Sequence, residues 1–426
     1  MSNQRKIAAL ALINVEKNAA YSNIALNETL KKYNLEKQES AFVSTLFYGV
    51  LERKITLDYY ISKLSSQPLS KIPPLTLQAL RLGVYQLVFM DKVPVSAAVN
   101  ESVNIVKKSK ESRLSGFVNA VLRNISRSLP ALPTDNSKES ISIRYSCSVS
   151  LAQRLIDDYG VTEVEKILSS ALNSKTVTIR VNTLKTTVEE LVSQFGEQGV
   201  KAEKTFLPNA LSLLDTGSVE NNTLYKKGYF HVQDLSSQIC ADLVGAKHGD
   251  CVLDVCAAPG GKTFTICENM QNKGTVIACD IHPHRVKLIE DGATRLGVDI
   301  IKTAVADATE YNPQFENSFD SVLCDVLCSG SGVIGRKPDI RYKDFSNDAE
   351  ITALQLKILS NAFKYLKPGK QLVYSTCSII KSENEDVVNA FLDSSDTAEL
   401  LSMKTFLPHI DGTDGFFTAV IRKRGE

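Results

Sequence analysis

From Gly249 onward, short apolar segments alternate with longer segments of helical periodicity. The apolar segments are predicted strands, at residues 251–255, 275–279, 301–306, 321–324 and 371–375. Helices are predicted between them, at residues 262–270, 283–296 and 351–366. Because parallel strands need crossover connections, the alternation predicts an α/β domain with a doubly wound, mostly parallel, Rossmann-like sheet. The ligand of such a sheet lies at the carboxyl ends of its strands. Residues 415–422 alternate well enough for a final strand, which could be antiparallel.

The first 130 residues lack this alternation, and apolar residues recur there at helical spacing, as in Leu77, Leu80, Val84 and Leu87. We therefore expect an all-α amino-terminal domain at residues 1–130. A segment with Pro130 and Pro133 among small polar residues is typical of a linker, which we place at residues 131–150.

A small α+β module is predicted at residues 151–235, between the linker and the main domain at residues 236–426. It rests on strand patterns at 177–181 and 210–214 and a helical pattern at 188–195.

Charge is distributed unevenly although the net charge is only +1. Residues 1–130 contain 18 Lys and Arg against 9 Asp and Glu, a net +9, which leaves −8 for the remainder. A basic amino-terminal part joined to an acidic body is expected when one part binds a polyanion such as RNA.

The sequence argues against a membrane protein, a secreted protein and a metal-binding protein. No apolar run approaches the roughly 18 residues of a membrane span. The basic start before residues 7–15 resembles a signal peptide, but Glu16 and Lys17 follow without a cleavage site. The nine cysteines show no paired zinc-ligand spacing, so no metal site is predicted and most should be reduced thiols. We expect a cytoplasmic protein and, without a self-association signal, a monomer.

The loop after the first predicted strand suits close approach of a ligand. Its residues are Cys256, Ala257, Ala258, Pro259, Gly260, Gly261 and Lys262. Small residues and two glycines allow backbone contact, and the next helix points its amino terminus at the ligand. The loop has neither dinucleotide nor P-loop spacing, which favours an adenosine-type cofactor without a long phosphate tail.

Acidic residues follow the successive strands. Asp280 is placed to accept hydrogen bonds from a ribose diol, and Asp307 to touch an adenine or its neighbouring groups. Asp325 ends the fourth predicted strand, with Cys328 three residues later, and Cys377 follows the fifth. Neighbouring parallel strands end at one edge, so these side chains should meet beside the cofactor.

Two cysteines and a carboxylate suit methylation at carbon 5 of cytosine, which is a poor nucleophile. A thiolate that adds to carbon 6 makes carbon 5 enamine-like. A carboxylic acid near ring nitrogen 3 stabilises the adduct, and a base then removes the proton from carbon 5.

The chain resembles, over nearly its whole length, the RNA cytosine-5 methyltransferases of the NOL/NOP/Sun family. The similar segments are residues 254–263, 325–330, 336–341, 375–378 and 414–417. Residues 46–49, 80–86 and 116–123 resemble a NusB-type RNA-binding domain. The combination is similar to the bacterial Sun type, which acts on a cytosine in a hairpin loop of 16S ribosomal RNA.

The resemblance implies particular roles. S-adenosyl-L-methionine would be the cofactor, bound by residues 256–262 with Asp280, Asp307 and Asp325, and 16S ribosomal RNA would be the partner. Cys377 would be the nucleophile, Asp325 would also face the cytosine, and Cys328 would assist product release as the base or by positioning it.

Leu327 departs from the family, which usually has proline before the second cysteine. Losing proline frees one φ angle and restores a backbone N–H, so the Cys328 loop could be less preorganised. Either the variant is tolerated or turnover is impaired. Two other functions stay open: transfer RNA as the substrate, or a non-catalytic RNA-binding assembly factor.

Three sets of residues are candidates for RNA contacts. The first is basic and would bind phosphates: Lys107, Lys108, Lys110, Arg113, Arg123 and Arg127. The second would hold the flanks of a flipped nucleotide: Arg336, Lys337 and Arg341. The third either contacts RNA or is a strand packed on the catalytic domain: Arg180, Val181 and Asn182.

Overall fold

A computed structural model describes residues 4–18, 22–172, 176–214 and 219–425. The chain divides into two compact units. The first, here the helical unit, comprises Met1–Leu172 and Arg336–Ser346, and the second, here the sheet unit, comprises Asn173–Gly335 and Asn347–Glu426. Among the described residues, no helix is long and apolar enough to cross a membrane.

The helical unit confirms the all-α prediction. Its α-helices are α1 Gln4–Asn18, α2 Ser22–Tyr33, α3 Lys37–Leu64, α4 Pro74–Phe89, α5 Val95–Lys107, α6 Ser115–Arg127, α7 Lys138–Tyr145, α8 Val149–Tyr159 and α9 Val161–Ser170. Proline at the first position of α4 suits a helix start, because its fixed φ is helical and its missing N–H would be unbonded there. The predicted periodic residues Leu80 and Val84 are fully buried, and Leu77 and Leu87 pack against the same core. Helix α7 lies within residues 131–150.

Arg341 is fully buried in the helical unit, although it comes from the second half of the chain. Its Nη1 donates to the carbonyl oxygen of Tyr145 at 3.1 Å, and its Nη2 donates to that of Ala171 at 2.7 Å. These carbonyls lie at the ends of α7 and α9, where helices leave acceptors unbonded and the helix dipole attracts cations. The prediction that Arg341 holds a nucleotide is therefore wrong, because its guanidinium is occupied and inaccessible. Arg336 and Lys337 are exposed, and their RNA contacts stay predictions.

Replacing Arg341 with alanine should lower the free energy of unfolding of the helical unit by about 3 kcal/mol or more, because it orphans two buried carbonyls and leaves a cavity. Lys337→Ala, at an exposed position of the same segment, should change it by less than about 0.5 kcal/mol. Urea unfolding followed by circular dichroism, with hydrogen exchange of the α7 and α9 amides, measures both. Equal urea-unfolding transitions for the Arg341→Ala and Lys337→Ala proteins would contradict the proposed capping of α7 and α9 by Arg341.

The sheet unit begins with a small antiparallel sheet of strand order β2-β3-β1-β4. Its elements are β1 Val177–Val181, α10 Val188–Glu197, β2 Lys201–Lys204, β3 Ala210–Leu214, α11 Thr223–Lys226 and β4 Phe230–Val232. The predicted patterns at 177–181, 188–195 and 210–214 correspond to β1, α10 and β3. The pattern missed β2, which is largely exposed, and β4, which has three residues.

Arg180 and Asn182 are buried against the rest of the sheet unit. Arg180 Nε lies 3.2 Å from Glu268 Oε2, and Asn182 Nδ2 donates to the carbonyl oxygens of Gly228 and Leu296 at 2.8 Å each. Both side chains are satisfied inside the unit, which supports the packing alternative for this stretch over RNA contact.

The large sheet has seven strands in the order β10-β11-β9-β8-β5-β6-β7. Its elements are α12 Leu235–Leu243, β5 Cys251–Asp254, α13 Gly261–Asn269, β6 Thr275–Asp280, α14 Pro283–Leu296, β7 Ile301–Val305, β8 Phe319–Asp325, α15 Ala349–Tyr365, β9 Leu366–Thr376, α16 Glu385–Asp393, β10 Ala398–Phe406, α17 Pro408–Asp411 and β11 Phe416–Lys423. Strands β5 to β9 are parallel, and β11 pairs antiparallel with β9 and β10. The doubly wound sheet and the final antiparallel strand are thus as predicted. The order reverses at β5, so ligands are expected at the carboxyl ends of β5 and β8.

Candidate active site

A cavity of about 440 Å³ opens at the carboxyl ends of β5, β6 and β8. Polar and small residues from the predicted cofactor site line it: Cys256, Ala258, Asp280, Asp307 and Asp325. Apolar side chains complete the wall: Val255, Ile281, Val326, Leu327, Leu354 and Ile358. The cleft therefore has acids on strand ends and apolar surfaces between them.

The loop between β5 and α13 lines the cavity through Cys256 and Ala258, whereas five predicted residues of the same loop are not among its lining residues: Ala257, Pro259, Gly260, Gly261 and Lys262. Gly260 has a φ of 108°, and a Cβ there would come within 2.4 Å of the Phe264 ring, so only glycine fits. The amide N–H of Ala257 donates to the carbonyl of Cys279 at 2.7 Å, which ties the loop to β6. Burial raises the pKa of the Cys256 thiol well above its ordinary value, so this cysteine stays neutral.

Asp280 is buried at the end of β6, and its carboxylate is oriented by two groups. Arg285 Nη1 lies 3.0 Å from Oδ2, and the amide of His282 donates to Oδ1 at 3.1 Å. Arg285 Nη2 also donates to the carbonyl of Ala258 at 2.6 Å, so this side chain links the acid to the glycine-rich loop. No motif in the sequence drew attention to Arg285.

Asp307 lies just beyond β7 and is exposed at the rim of the cavity. Its Oδ1 accepts hydrogen bonds from the hydroxyl and the amide of Thr309, at 2.7 and 2.8 Å. These bonds hold the pKa of Asp307 below its usual value, so the carboxylate is charged and fixed in direction.

Asp325 is held from both sides at the end of β8. Lys262 Nζ lies 2.6 Å from its Oδ2, and the hydroxyl of Ser375 donates to its Oδ1 at 2.7 Å. The Lys262 ammonium also lies 5.1 Å from the centre of the Phe416 ring. Burial alone would lower the pKa of Lys262, but the Asp325 carboxylate and the thiols of Cys240 and Cys377 raise it above its ordinary value. The contact of Lys262 with Asp325 was not foreseen from the sequence, which placed it only in the cofactor loop.

The structure brings Cys328 and Cys377 together, with their sulfur atoms 3.1 Å apart. The amide of Val326 donates to the carbonyl of Ser375, and that of Gly332 donates to the carbonyl of Cys377, both at 3.0 Å. The pKa of the Cys328 thiol lies well above its ordinary value because of its hydrogen bond with Cys377, its burial and the nearby charges of Cys377 and Glu383. The raised pKa means that Cys328 keeps its proton beside Cys377.

Leu327 is 47% exposed and faces the cavity. Its carbonyl accepts a hydrogen bond of 2.8 Å from Nε2 of Gln355, a fully buried residue of α15. The loop that lacks the family's proline is thus anchored through its backbone by a side chain that sequence reasoning missed.

The six basic residues proposed to bind phosphates are all exposed on the helical unit: Lys107, Lys108, Lys110, Arg113, Arg123 and Arg127. In the described part of the chain, no three His, Cys, Asp or Glu side chains converge as metal ligands would.

The reversed strand order, the glycine-rich loop after β5 and the acids on the following strands define an S-adenosylmethionine-dependent methyltransferase. Family models agree: residues 241–422 match the 16S rRNA methyltransferase RsmB/F, residues 2–127 match the NusB family, and residues 150–220 match the ferredoxin-like domain of RsmF/B-like methyltransferases. The chain belongs to the 16S rRNA methyltransferase RsmB/F family.

Known proteins resemble this chain over two thirds or more of its length. The probable ribosomal RNA small subunit methyltransferase B of Bacillus subtilis (strain 168) is 38% identical over 444 residues, which cover 99% of both chains. The crystal structure of PH0851 is 27% identical, with a TM-score of 0.83 over 99% of each chain. A methyltransferase homologue from Pyrococcus horikoshii is also 27% identical, with a TM-score of 0.60 over 68% of this chain and 100% of its own.

The residues in the cleft fit S-adenosylmethionine. The oriented Asp280 carboxylate can accept hydrogen bonds from a ribose, and Ile281, Leu354 and Ile358 offer apolar surface for a planar base.

Proposed function

We propose that the protein methylates carbon 5 of a cytosine in 16S ribosomal RNA through a covalent bond between Cys377 and carbon 6 of the base. The observation that carries this proposal is the 3.1 Å contact between the sulfur atoms of Cys377 and Cys328, beside the fixed carboxylate of Asp325. Two facing thiols and an acid are the groups that addition, methyl transfer and elimination need.

The electrostatics favour Cys377 as the nucleophile. Since the pKa of Cys328 is raised, its S–H can donate to the sulfur of Cys377, which then carries the negative charge. The ammonium of Lys262 adds to this effect, because its pKa responds to the charge of Cys377. A thiolate stabilised by a hydrogen bond and a nearby cation is the reactive form of a cysteine.

Cys328 is suited to the elimination step. Once Cys377 has bonded to carbon 6, its sulfur no longer carries a charge, and a main cause of the raised pKa of Cys328 is removed. Cys328 can then lose its proton to solvent and accept the one from carbon 5. The electron pair of that C–H bond restores the ring double bond as the bond to carbon 6 breaks, which returns Cys377 to the thiolate. S-adenosylmethionine, when bound, supplies the methyl group.

Asp325 is proposed to face the cytosine. Its side chain is held at Oδ2 by Lys262 and at Oδ1 by Ser375, so it can contact the ring nitrogen without reorientation. As Cys377 adds to carbon 6, that nitrogen takes up one proton, which Asp325 in its carboxylic acid form would donate and would take back on elimination. Preorganised polar groups of this kind stabilise charge that develops during reaction.

The helical unit is proposed to bind the RNA, because its exposed basic residues can neutralise RNA phosphates. The target base is proposed to be selected in the cleft. A monomer in the cytoplasm, where ribosomal RNA is modified, completes the proposal.

The test is transfer of labelled methyl groups from S-adenosylmethionine to an unmodified, protein-free 16S ribosomal RNA transcript, followed by nucleoside analysis. Label in 5-methylcytidine at a single cytosine is expected, and a transcript with that cytosine changed to uridine is the matched control. Label in transfer RNA alone would refute the substrate, and label in another nucleoside would refute the chemistry. No label in either RNA would favour the assembly-factor alternative.

A further inference from the structure

A buried set of serine hydroxyls joins the loops that carry the two cysteines. The hydroxyl of Ser378, next to Cys377, lies 2.9 Å from that of Ser331 and 3.3 Å from that of Ser329, next to Cys328. Ser331 also accepts a hydrogen bond from the amide of Ile379 at 3.0 Å. The contact between the two sulfur atoms is therefore fixed by the loops rather than by the cysteines alone.

Glu383 lies at the centre of this set and is fully buried. Its Oε2 accepts a hydrogen bond of 2.8 Å from the amide of Ser329, and its own carbonyl accepts one of 2.7 Å from the hydroxyl of Tyr374 on β9. Burial raises the pKa of the Glu383 carboxyl, and the hydrogen bond from Ser329 opposes that rise. Because Glu383 follows Cys377 by six residues, this bond ties the segment after Cys377 to the Cys328 loop.

The Cys377 loop has a second anchor that does not involve the Glu383 side chain. Nδ2 of Asn384 donates to the carbonyl of Ser378 at 3.0 Å, and the hydroxyl of Thr376 donates to Oδ1 of Asn384 at 2.5 Å. The backbone directly after Cys328 is instead bonded to Glu383. Loss of the carboxylate should therefore loosen Cys328 more than Cys377.

We propose, building on the function proposed above, that Glu383 is a positioning residue that holds the Cys328 loop against the Cys377 loop and thereby controls release of the methylated base. Without the Glu383 carboxylate, Asn384 still holds the Cys377 loop, so the bond between Cys377 and carbon 6 can form. Proton removal from carbon 5 depends on Cys328, whose place depends on Glu383.

Single-turnover reactions with Glu383→Ala and Glu383→Gln test this role, with Asp386→Asn as a control that removes an exposed carboxylate nearby. The adduct between protein and RNA is followed on denaturing gels as it forms and decays. Glu383→Ala should form the adduct within about threefold of the wild-type rate and release it about tenfold more slowly. Glu383→Gln keeps an acceptor for the Ser329 amide and should recover part of the release rate.

Alkylation with iodoacetamide, read for each cysteine by peptide mass spectrometry without RNA, gives a second measurement. Loss of the Glu383 carboxylate frees the Ser329 amide and should loosen the Cys328 loop, and it also removes a charge that raises the pKa of Cys328. Alkylation of Cys328 should therefore speed up severalfold, with Cys377 and the Asp386→Asn protein changed less than about twofold. Protection of the buried Cys240 and Cys324 reports that each variant is folded.

Two outcomes would overturn this role. One is that Glu383→Gln slows formation and decay of the adduct equally. The other is that Glu383→Ala shows the wild-type rate of adduct decay and the wild-type rate of Cys328 alkylation. If the wild-type protein itself forms no adduct, the proposed function fails; unchanged Cys328 alkylation in a folded Glu383→Ala protein overturns the positioning role independently.

Discussion

Alanine at position 377 is expected to reduce methyl transfer by about 10⁴-fold or more, the usual scale for loss of a covalent nucleophile. The Cys377→Ala protein should form no bond to RNA, because the proposed nucleophile is gone and Cys328 lies in the other loop, where it is proposed to act at carbon 5. Alanine at position 328 should have a different effect: the adduct forms, the methyl group transfers, and release stalls for want of a base. The chain should then stay attached to its RNA.

Denaturing gels with labelled RNA separate these outcomes. A slow-migrating complex is expected with Cys328→Ala, little with wild type, and none with Cys377→Ala or the double variant. Cys251→Ala is the matched control, since this partly exposed cysteine at the start of β5 lies at the opposite end of the strand from the cleft. A complex with Cys377→Ala and none with Cys328→Ala would mean that Cys328 is the nucleophile and that Cys377 assists release.

Periodicity predicts six of the seven strands of the large sheet, because parallel strands buried on both faces appear in the sequence as short apolar runs separated by helical patterns. Strand β11 alternates and was predicted, whereas β10 was missed because Leu400 and Leu401 are exposed and the strand lies at the sheet edge. Edge strands bury one side at most, so their sequence signal is weak.

The meeting of Asp325, Cys328 and Cys377 also followed from topology, since β8 and β9 are neighbours and parallel. The buried residues that hold the surrounding loops and helices could not be predicted in this way. Arg341 carries a charge that favours the surface, and its burial depends on two helix ends that only the folded chain brings near it. Glu383 and Gln355 act through backbone groups of distant loops, which no residue pattern records.

Lys262 is the other position where a large effect is expected, and Lys262→Met should lower kcat about 100-fold. The side chain is 14% exposed and its Nζ lies 2.6 Å from Asp325 Oδ2, so methionine removes a charge-assisted hydrogen bond from a partly buried acid. Such a bond is worth about 1.5–3 kcal/mol, and Asp325 would lose its fixed direction toward the base as well. Lys262→Arg keeps the charge but not the compact ammonium, and should retain intermediate activity.

The affinity for S-adenosylmethionine, measured by calorimetry, distinguishes the two roles open to Lys262. If Lys262 acts through Asp325, Lys262→Met should change the Kd for S-adenosylmethionine less than about threefold while kcat falls. The double variant Lys262→Met/Asp325→Asn should then be no slower than Asp325→Asn alone, because the effects of residues that act as a unit are not additive. If Lys262 instead serves the cofactor loop, the Kd should rise steeply and the two substitutions should multiply. The 2.6 Å contact with Asp325 and the raised pKa of the ammonium favour the first outcome, in which one lysine of the glycine-rich loop fixes the acid that is proposed to face the cytosine.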